Sequence, residues 1–193
     1  GFNTVKLWVQ WRWNMPKRDT YDFSDIDRLM ELCGGLGLRV ILNIICDVAP
    51  AWFYRDYPDS LMVAADGRRL YPQTTAYRQI GGAPGPCYHH REGAEIRRRF
   101  IEEAAKRYAG HPALLCWDLW NEPELTCGIW REASQENMVC YCAHSVERFI
   151  LWLRRRYGSL EVLNRRWGRN YQAWEEIEPP RCAATFNDMV DWR

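Results

Sequence analysis

No apolar run in this 193-residue chain approaches the ~18 residues of a membrane-spanning helix. Neither sign of charge dominates. The 26 Lys and Arg against 25 Asp and Glu leave a formal charge of +1, so bulk electrostatics draws the chain to neither nucleic acid nor an anionic membrane. No strand-like segment is followed by a glycine-rich phosphate loop, which removes the usual signature of a nucleotide-binding sheet. The 8 cysteines lack the even spacing of a secreted disulfide framework, and they favour the cytoplasm as the expected compartment. Internal repeats and low-complexity segments are absent. The chain carries no initiator Met and no leader peptide, opens in strand-like Gly1-Phe-Asn-Thr-Val-Lys-Leu and stops in helix-like Asp188-Met-Val-Asp-Trp-Arg. We expect a piece of a longer protein, in which a missing leader says nothing about compartment.

Aromatic residues are what the chain has in abundance: 11 Trp and 10 Tyr serve either a tryptophan-rich core or flat platforms on which sugars or bases stack. Residues 3–9 read as a short buried strand. Ser24 and Asp27 resemble a capping box with Asp in place of Glu. Ile26, Leu29, Met30 and Cys33 then recur at helical spacing, and Gly34, Gly35 and Gly37 close the helix. Residues 39–45, "RVILNII", are rich in β-branched residues and continuous rather than alternating, as in a parallel strand covered on both faces. A long Pro- and Gly-bearing connection covers 46–90, and loops of that length in compact domains are usually functional. A second helix spans 91–108 with Ile96, Phe100, Ala104 and Tyr108 on one stripe. Its Arg97-Arg98-Arg99 run reads as a solvated face. "ALLCWDLW", residues 113–120, is a third strand, with helical segments around 144–157 and 160–167. Cys33, Cys46 and Cys116 read as small buried hydrophobes. Alternating strands and helices predict βαβ units on a parallel sheet, in an open doubly wound sheet or in a (β/α)8 barrel.

The chemistry concentrates where the third strand ends. A carboxyl group at such a position, flanked by Trp and partly desolvated, has a raised pKa and can give a proton to a leaving group. Glu122 is that candidate, although a strand-end Glu is more often a solvated rim charge. Asn121 beside it donates and accepts hydrogen bonds, as a sugar hydroxyl requires. Functional groups at the carboxyl ends of strands favour the barrel. Trp11 and Trp13, at the end of the first strand, are candidates to line a substrate cleft or to pack beneath the loop. Trp52 has the same two readings.

Trp120-Asn-Glu-Pro123 closing a strand resembles the acid/base motif of the clan of retaining glycosidases built on (β/α)8 barrels. "GFNTVKLWVQW", "YDFSDIDRLMELCGGLGLRVIL", "VAPAWFYRDYP", "HPALLCWDLWNEPE" and "CYCAHSVERFILWLRRRYGSLEVLNRRWG" are similar, in order, to glycoside hydrolase family 42, the β-galactosidase family. The resemblance implies an α/β fold that is part of a (β/α)8 TIM barrel, about strands two to four with their helices. It implies that residues 1–193 belong to one catalytic barrel, with 125–182 an insertion after the acid/base strand. It assigns Glu122 as general acid/base, Asn121 as a contact of the sugar 2-hydroxyl, and a nucleophilic Glu outside this chain. Retention needs two carboxyl groups about 5 Å apart, and Glu124, in the same loop as Glu122, reads as a solvated charge. The implied substrate is a β-galactoside. Other members of the clan act on β-glucosides, mannans or arabinosides, and a non-catalytic carbohydrate-binding barrel is a further alternative. Family members usually carry an Arg near the sugar where this chain has Ala83 or a neighbour, with Arg78 or Arg91 as substitutes, so galactose specificity stays open here. The resemblance further implies a homotrimer of the longer protein, with neither nucleic acid nor membrane as a partner.

Many family members bind a structural zinc through one Cys in the loop before the fourth strand and a C-x-C-x-x-C run after it. Cys87, Cys140 and Cys142 match three of these positions, and Ser145 stands at the fourth. His144, adjacent to it, would complete a Cys3His site, and Cys127 is a second substitute. Zinc would be structural, and catalysis would need no cofactor. His89 and His90 read as surface residues.

Overall fold

The structure is a computed structural model and describes residues 1–71, 85–120, 139–181 and 187–192. Three parallel strands form its sheet in the order β1 (Thr4–Gln10), β2 (Arg39–Ile45) and β3 (Leu114–Asp118). Thr4 pairs with Arg39 and Gln10 with Ile45, and Asn43 pairs with Asp118. Helix α2 (Ser24–Gly35) connects β1 to β2, and α4 (Arg91–Tyr108) leads into β3. Strand order equals chain order, and both crossover helices pack in one apolar cluster with Val9, Val40, Leu42 and Ile44. They therefore cover the same face of the sheet. A doubly wound sheet reverses direction and places helices on both faces; a barrel winds onward in one direction with every helix outside.

Side chains alternate across the strands. Val9, Val40, Leu42 and Ile44 turn toward the helices and are buried. The opposite face carries Lys6, Trp8, Asn43 and Asp118, with Lys6 Nζ 2.5 Å from Asp118 Oδ2 and the Asn43 amide donating to the Asp118 carbonyl at 3.0 Å. The Lys6 hydrogen bond holds the Asp118 carboxyl below its usual range, so this residue is an ionised carboxylate rather than a proton donor. Cys116 pairs with Ile41 on this face and is exposed. The expectation that Cys116 is a buried hydrophobe therefore fails, because no described element covers that side of β3.

The stripe expected on the second helix is present: Ile96, Phe100, Ala104 and Tyr108 are buried on α4. Ile26, Met30 and Cys33 are the buried positions of α2. Ser24 is the first residue of α2 and makes no side-chain cap. Instead the Asp22 carboxylate accepts from Ser24 N at 3.1 Å and Asp25 Oδ1 accepts from Ile26 N at 2.8 Å. Asp27 is thereby free to reach across to α4. It accepts from Arg107 Nε at 2.6 Å and from the Tyr108 hydroxyl at 2.8 Å. These hydrogen bonds, the Arg107 one foremost, outweigh partial burial and hold the Asp27 carboxyl below its ordinary value.

A carboxylate with a lowered folded-state pKa stabilises the fold above its unfolded value, near 3.9, and that contribution is lost as pH falls through the folded value. Asp27→Asn is expected to lower stability by about 1 kcal/mol at neutral pH, a difference that shrinks toward pH 3. Urea melts of both proteins across that range read it, and a gap that widens in acid would contradict the assignment.

The connection after β2 is less irregular than its composition suggests. It holds α3 (Ala51–Asp56) and a 3₁₀ turn at Pro58–Ser60. Trp52 and Phe53 of α3 are buried in the main cluster, and the Trp52 indole donates to the Met15 carbonyl at 2.9 Å. Trp52 thus follows its packing reading. Beyond the sheet, α5 (Ala143–Tyr157) and α6 (Leu160–Trp167) build a second cluster from Phe149, Leu153, Leu163, Trp167 and Ile177. Ser159 caps α6, accepting from Val162 N at 3.3 Å, and Gly168 ends it in the left-handed region at φ 68°. A short helix, α7 (Asn187–Trp192), places Trp192 against Phe149. Among the described residues no helix is long and apolar enough to cross a membrane.

Candidate active site and cysteine cluster

The carboxyl ends of the three strands carry the candidate active site. Asn121 and Glu122 follow β3 in sequence and lie outside the described residues, as do Arg78, Ala83, Glu124, Cys127 and Cys182. The described residues around the ends of β2 and β3 form a cavity of their own. The Trp120 ring lies 5.3 Å from that of Tyr88, whose hydroxyl donates to Asp47 Oδ1 at 2.6 Å. The Arg97 guanidinium sits 4.8 Å over the Tyr88 ring. Together with Cys46, these residues line a cavity of about 420 Å³. Burial pushes the Cys46 thiol up to about 12, so it stays protonated and is no nucleophile.

Arg97 corrects the expectation of a solvated Arg97-Arg98-Arg99 face. Arg98 and Arg99 do pair with exposed carboxylates, of Glu95 and Asp19. Arg97 instead is 6% exposed and donates toward the Cys87 and Tyr88 carbonyls at 3.5 and 3.3 Å. A helix turns about 100° per residue, so three consecutive arginines cannot share one face. The helical stripe Gly93–Arg97–Phe100–Ala104 contained this signal. Gly85 passes close to the end of β2: a Cβ there would lie 2.0 Å from the Asp47 carbonyl oxygen. Only glycine allows the Cys87 segment to pass so close to the end of β2.

The two tryptophans proposed for the cleft separate. Trp11 opens α1 (Trp11–Asn14) and is fully buried, with its ring 5.1 Å from Phe53 and its indole N–H directed at Met15 Sδ, 3.3 Å away. Its cleft-lining role is overturned. The helix begins immediately after β1, and the first turn swings Trp11 beneath the loop. Trp13, about 200° further round the turn, is 67% exposed.

Three of the cysteines named as candidate ligands lie together. The sulfurs of Cys87, Cys140 and Cys142 lie within 4.8 Å of one another. Isolated bridges bring them together: Leu61 pairs with Pro86, and Ala64 with Val139. Hydrogen bonds from Cys140 and then Cys87 push the Cys142 thiol strongly down, while the same sharing pushes Cys87 up. Cys142 also stands at the N-cap of α5. Three converging sulfurs are a donor set that suits zinc.

His144 does not join them. Its Nε2 lies 3.1 Å from Asp59 Oδ2, and its ring meets that of His90 at 4.8 Å. His144 and Ser145 are successive residues of α5 and point about 100° apart. Ser145 takes the inward position, 5% exposed, with Oγ 3.2 Å from Cys87 Sγ. His90, read as surface, is 1% exposed and caps α4 by accepting from Gly93 N at 3.0 Å. Asp59, His90 and His144 form a second convergent group. It is poorly suited to a metal. His90 Nδ1 is used as an acceptor, so Nε2 carries the ring proton and faces Asp59 as a donor. His89, also read as surface, has its Nδ1 3.2 Å from Ser145 Oγ.

A one-directional parallel sheet with both crossover helices on one face defines a segment of a (β/α)8 barrel. The comparisons agree. The profile of the β-galactosidase family, glycoside hydrolase family 42, matches residues 1–192, and the chain belongs to that family. It is 33% identical to a beta-galactosidase of Heyndrickxia coagulans over 96% of this chain and 26% of that protein. A beta-galactosidase of Geobacillus kaustophilus is 31% identical over the same shares, 96% and 26%. Among solved structures, a catalytic mutant of a family 42 β-galactosidase from G. stearothermophilus superimposes with a TM-score of 0.77 at 28% identity, covering 98% of this chain and 26% of that one. The β-galactosidase from Rahnella sp. R3 gives 0.74 at 26% identity, covering 92% and 24%. The fold is part of a (β/α)8 barrel, and the chain spans about a quarter of the length of the relatives it matches.

Proposed function

We propose that the protein containing this chain is a retaining β-galactosidase in which Glu122 is the general acid/base and Asn121 contacts the sugar. The observation that carries this is the placement of Trp120-Asn-Glu-Pro123 directly after β3, a parallel strand, in a chain matched by the family from end to end. Glu122 protonates the glycosidic oxygen as the bond to the anomeric carbon breaks. It then takes a proton from the water that releases the sugar. The nucleophile belongs to a part of the protein outside these 193 residues, so the isolated chain is expected to be inactive. The exposed Trp13 offers a ring for the apolar face of a sugar. A panel of nitrophenyl glycosides on the full-length protein tests the substrate class. We expect kcat/KM for the β-galactoside to exceed that for the β-glucoside, mannoside and arabinoside by at least about tenfold, the scale of one well-matched polar contact. A preference for any of the others would reassign the substrate.

A structural zinc held by Cys87, Cys140 and Cys142 belongs to the same proposal. The convergence of the three sulfurs supports it, together with the direct path from Cys87, before α4, to Cys142, at the start of α5. Its contribution would be to pin the long connection after β2 against the segment that follows β3.

A further inference from the structure

We infer that the Ser145 hydroxyl supplies the fourth donor to the metal held by Cys87, Cys140 and Cys142, and that His89 positions that hydroxyl. This rests on the zinc reading just given, and concerns the corner of the site at which the chain departs from four cysteines. Zinc–sulfur bonds of 2.3 Å and zinc–oxygen bonds of 2.0–2.2 Å at tetrahedral angles set sulfur and oxygen roughly 3.6 Å apart. Ser145 Oγ lies 3.2 Å from Cys87 Sγ and 3.7 Å from Cys142 Sγ. Both lie within about 0.4 Å of that separation.

The alternatives on α5 are spent. His144 is committed to Asp59 on the other side of the helix start. His89 approaches the cluster but stops short of the sulfurs as a group: the convergent set contains the three cysteines and not His89. Its ring Nδ1 is 3.2 Å from Ser145 Oγ, and its backbone N–H donates to Cys87 Sγ at 3.3 Å. With Nδ1 unprotonated, the Ser145 O–H donates to His89, and the oxygen lone pairs turn toward the sulfurs. The residue thus acts twice on one site, through its amide on the Cys87 sulfur and through its ring on the Ser145 hydroxyl. Such supporting partners commonly change metal affinity by about 10–100-fold.

A neutral hydroxyl is a weaker ligand than a thiolate, so this site holds its metal less tightly than four cysteines would. A cavity of about 420 Å³ is lined by Cys87, His89, Cys140 and Ser145, beside Trp152 and Trp192.

The test uses full-length protein, zinc and cobalt(II). Zinc content is measured by elemental analysis, affinity by competition with a chromogenic chelator, and donor identity by the cobalt spectrum. We expect one metal per chain in the wild type, with a thiolate-to-cobalt band of three sulfurs. Ser145→Ala and His89→Ala should each weaken zinc binding by about 10–100-fold. Ser145→Ala should also shift the cobalt ligand-field bands. Ser145→Cys should bind more tightly and gain the band intensity of a fourth thiolate. If the wild type binds zinc and Ser145→Ala matches it in affinity and cobalt spectrum, Ser145 is not the donor. If neither the wild type nor Ser145→Cys holds zinc, the zinc reading itself fails.

Discussion

Glu122→Gln in the full-length protein is expected to reduce kcat/KM on a β-galactoside with a poor leaving group by about 10²–10⁴-fold, the usual worth of a positioned general acid. Glutamine keeps the size and the hydrogen bonds of the side chain and removes only the transferable proton. The loss should therefore depend on the leaving group. An alcohol needs protonation as its bond to the sugar breaks, whereas a dinitrophenolate leaves well without it. Bond cleavage with the activated substrate should be nearly spared. Release of the sugar should then become slow, because water has lost its base, and a burst of dinitrophenolate followed by a slow phase would show it. Equal losses on both substrates without a burst would point to damaged binding instead. Wild-type rates for Glu122→Gln on the poor substrate would remove Glu122 from the mechanism.

How far the residues announced this structure differs from region to region. The three strands were legible as short apolar runs, α2 and α4 by their helical stripes, and α5 and α6 as helical segments. The β-branched-rich run of 39–45 became β2, and the stripe from Ile96 to Tyr108 became the buried face of α4. The residues that follow β3 in sequence carried the motif on which the proposed acid/base role rests. What the sequence concealed were decisions made by one turn of helix. Whether Ser145 or His144 faces the cysteines depends on where α5 begins, and that is set by Cys142 as N-cap. Whether Arg97 or Arg98 is buried depends on the register of α4. Asp22 rather than Ser24 caps α2, a shift that frees Asp27 to hold Arg107 and Tyr108. Composition and period fix which elements form. Side-chain direction needs the exact start of each helix, and the functional assignments of His144, Ser145, His89 and Arg97 all depend on it.

Trp11→Ala should destabilise the protein by about 3–5 kcal/mol, the range for removing a fully buried large aromatic side chain. Trp11 is 0% exposed, and it joins three elements at once. It packs edge-on against Phe53 of α3 with ring centroids 5.1 Å apart, directs its N–H at Met15, and takes the Arg97 guanidinium of α4 over its face at 5.8 Å. Truncation leaves a cavity between the end of β1 and the connection after β2. It also strips one of the two aromatic faces from a buried guanidinium that has few other partners, since Tyr88 provides the second at 4.8 Å. Trp11→Phe refills most of the space and should cost less than half as much. The parallel substitution Trp13→Ala separates packing from recognition: Trp13 is exposed, so it should leave the denaturation midpoint within about 0.5 kcal/mol and act, if at all, on KM. Chemical denaturation and steady-state kinetics on the three variants read both roles. A stable Trp11→Ala protein with a raised KM would return Trp11 to the cleft and reverse the assignment of the two rings.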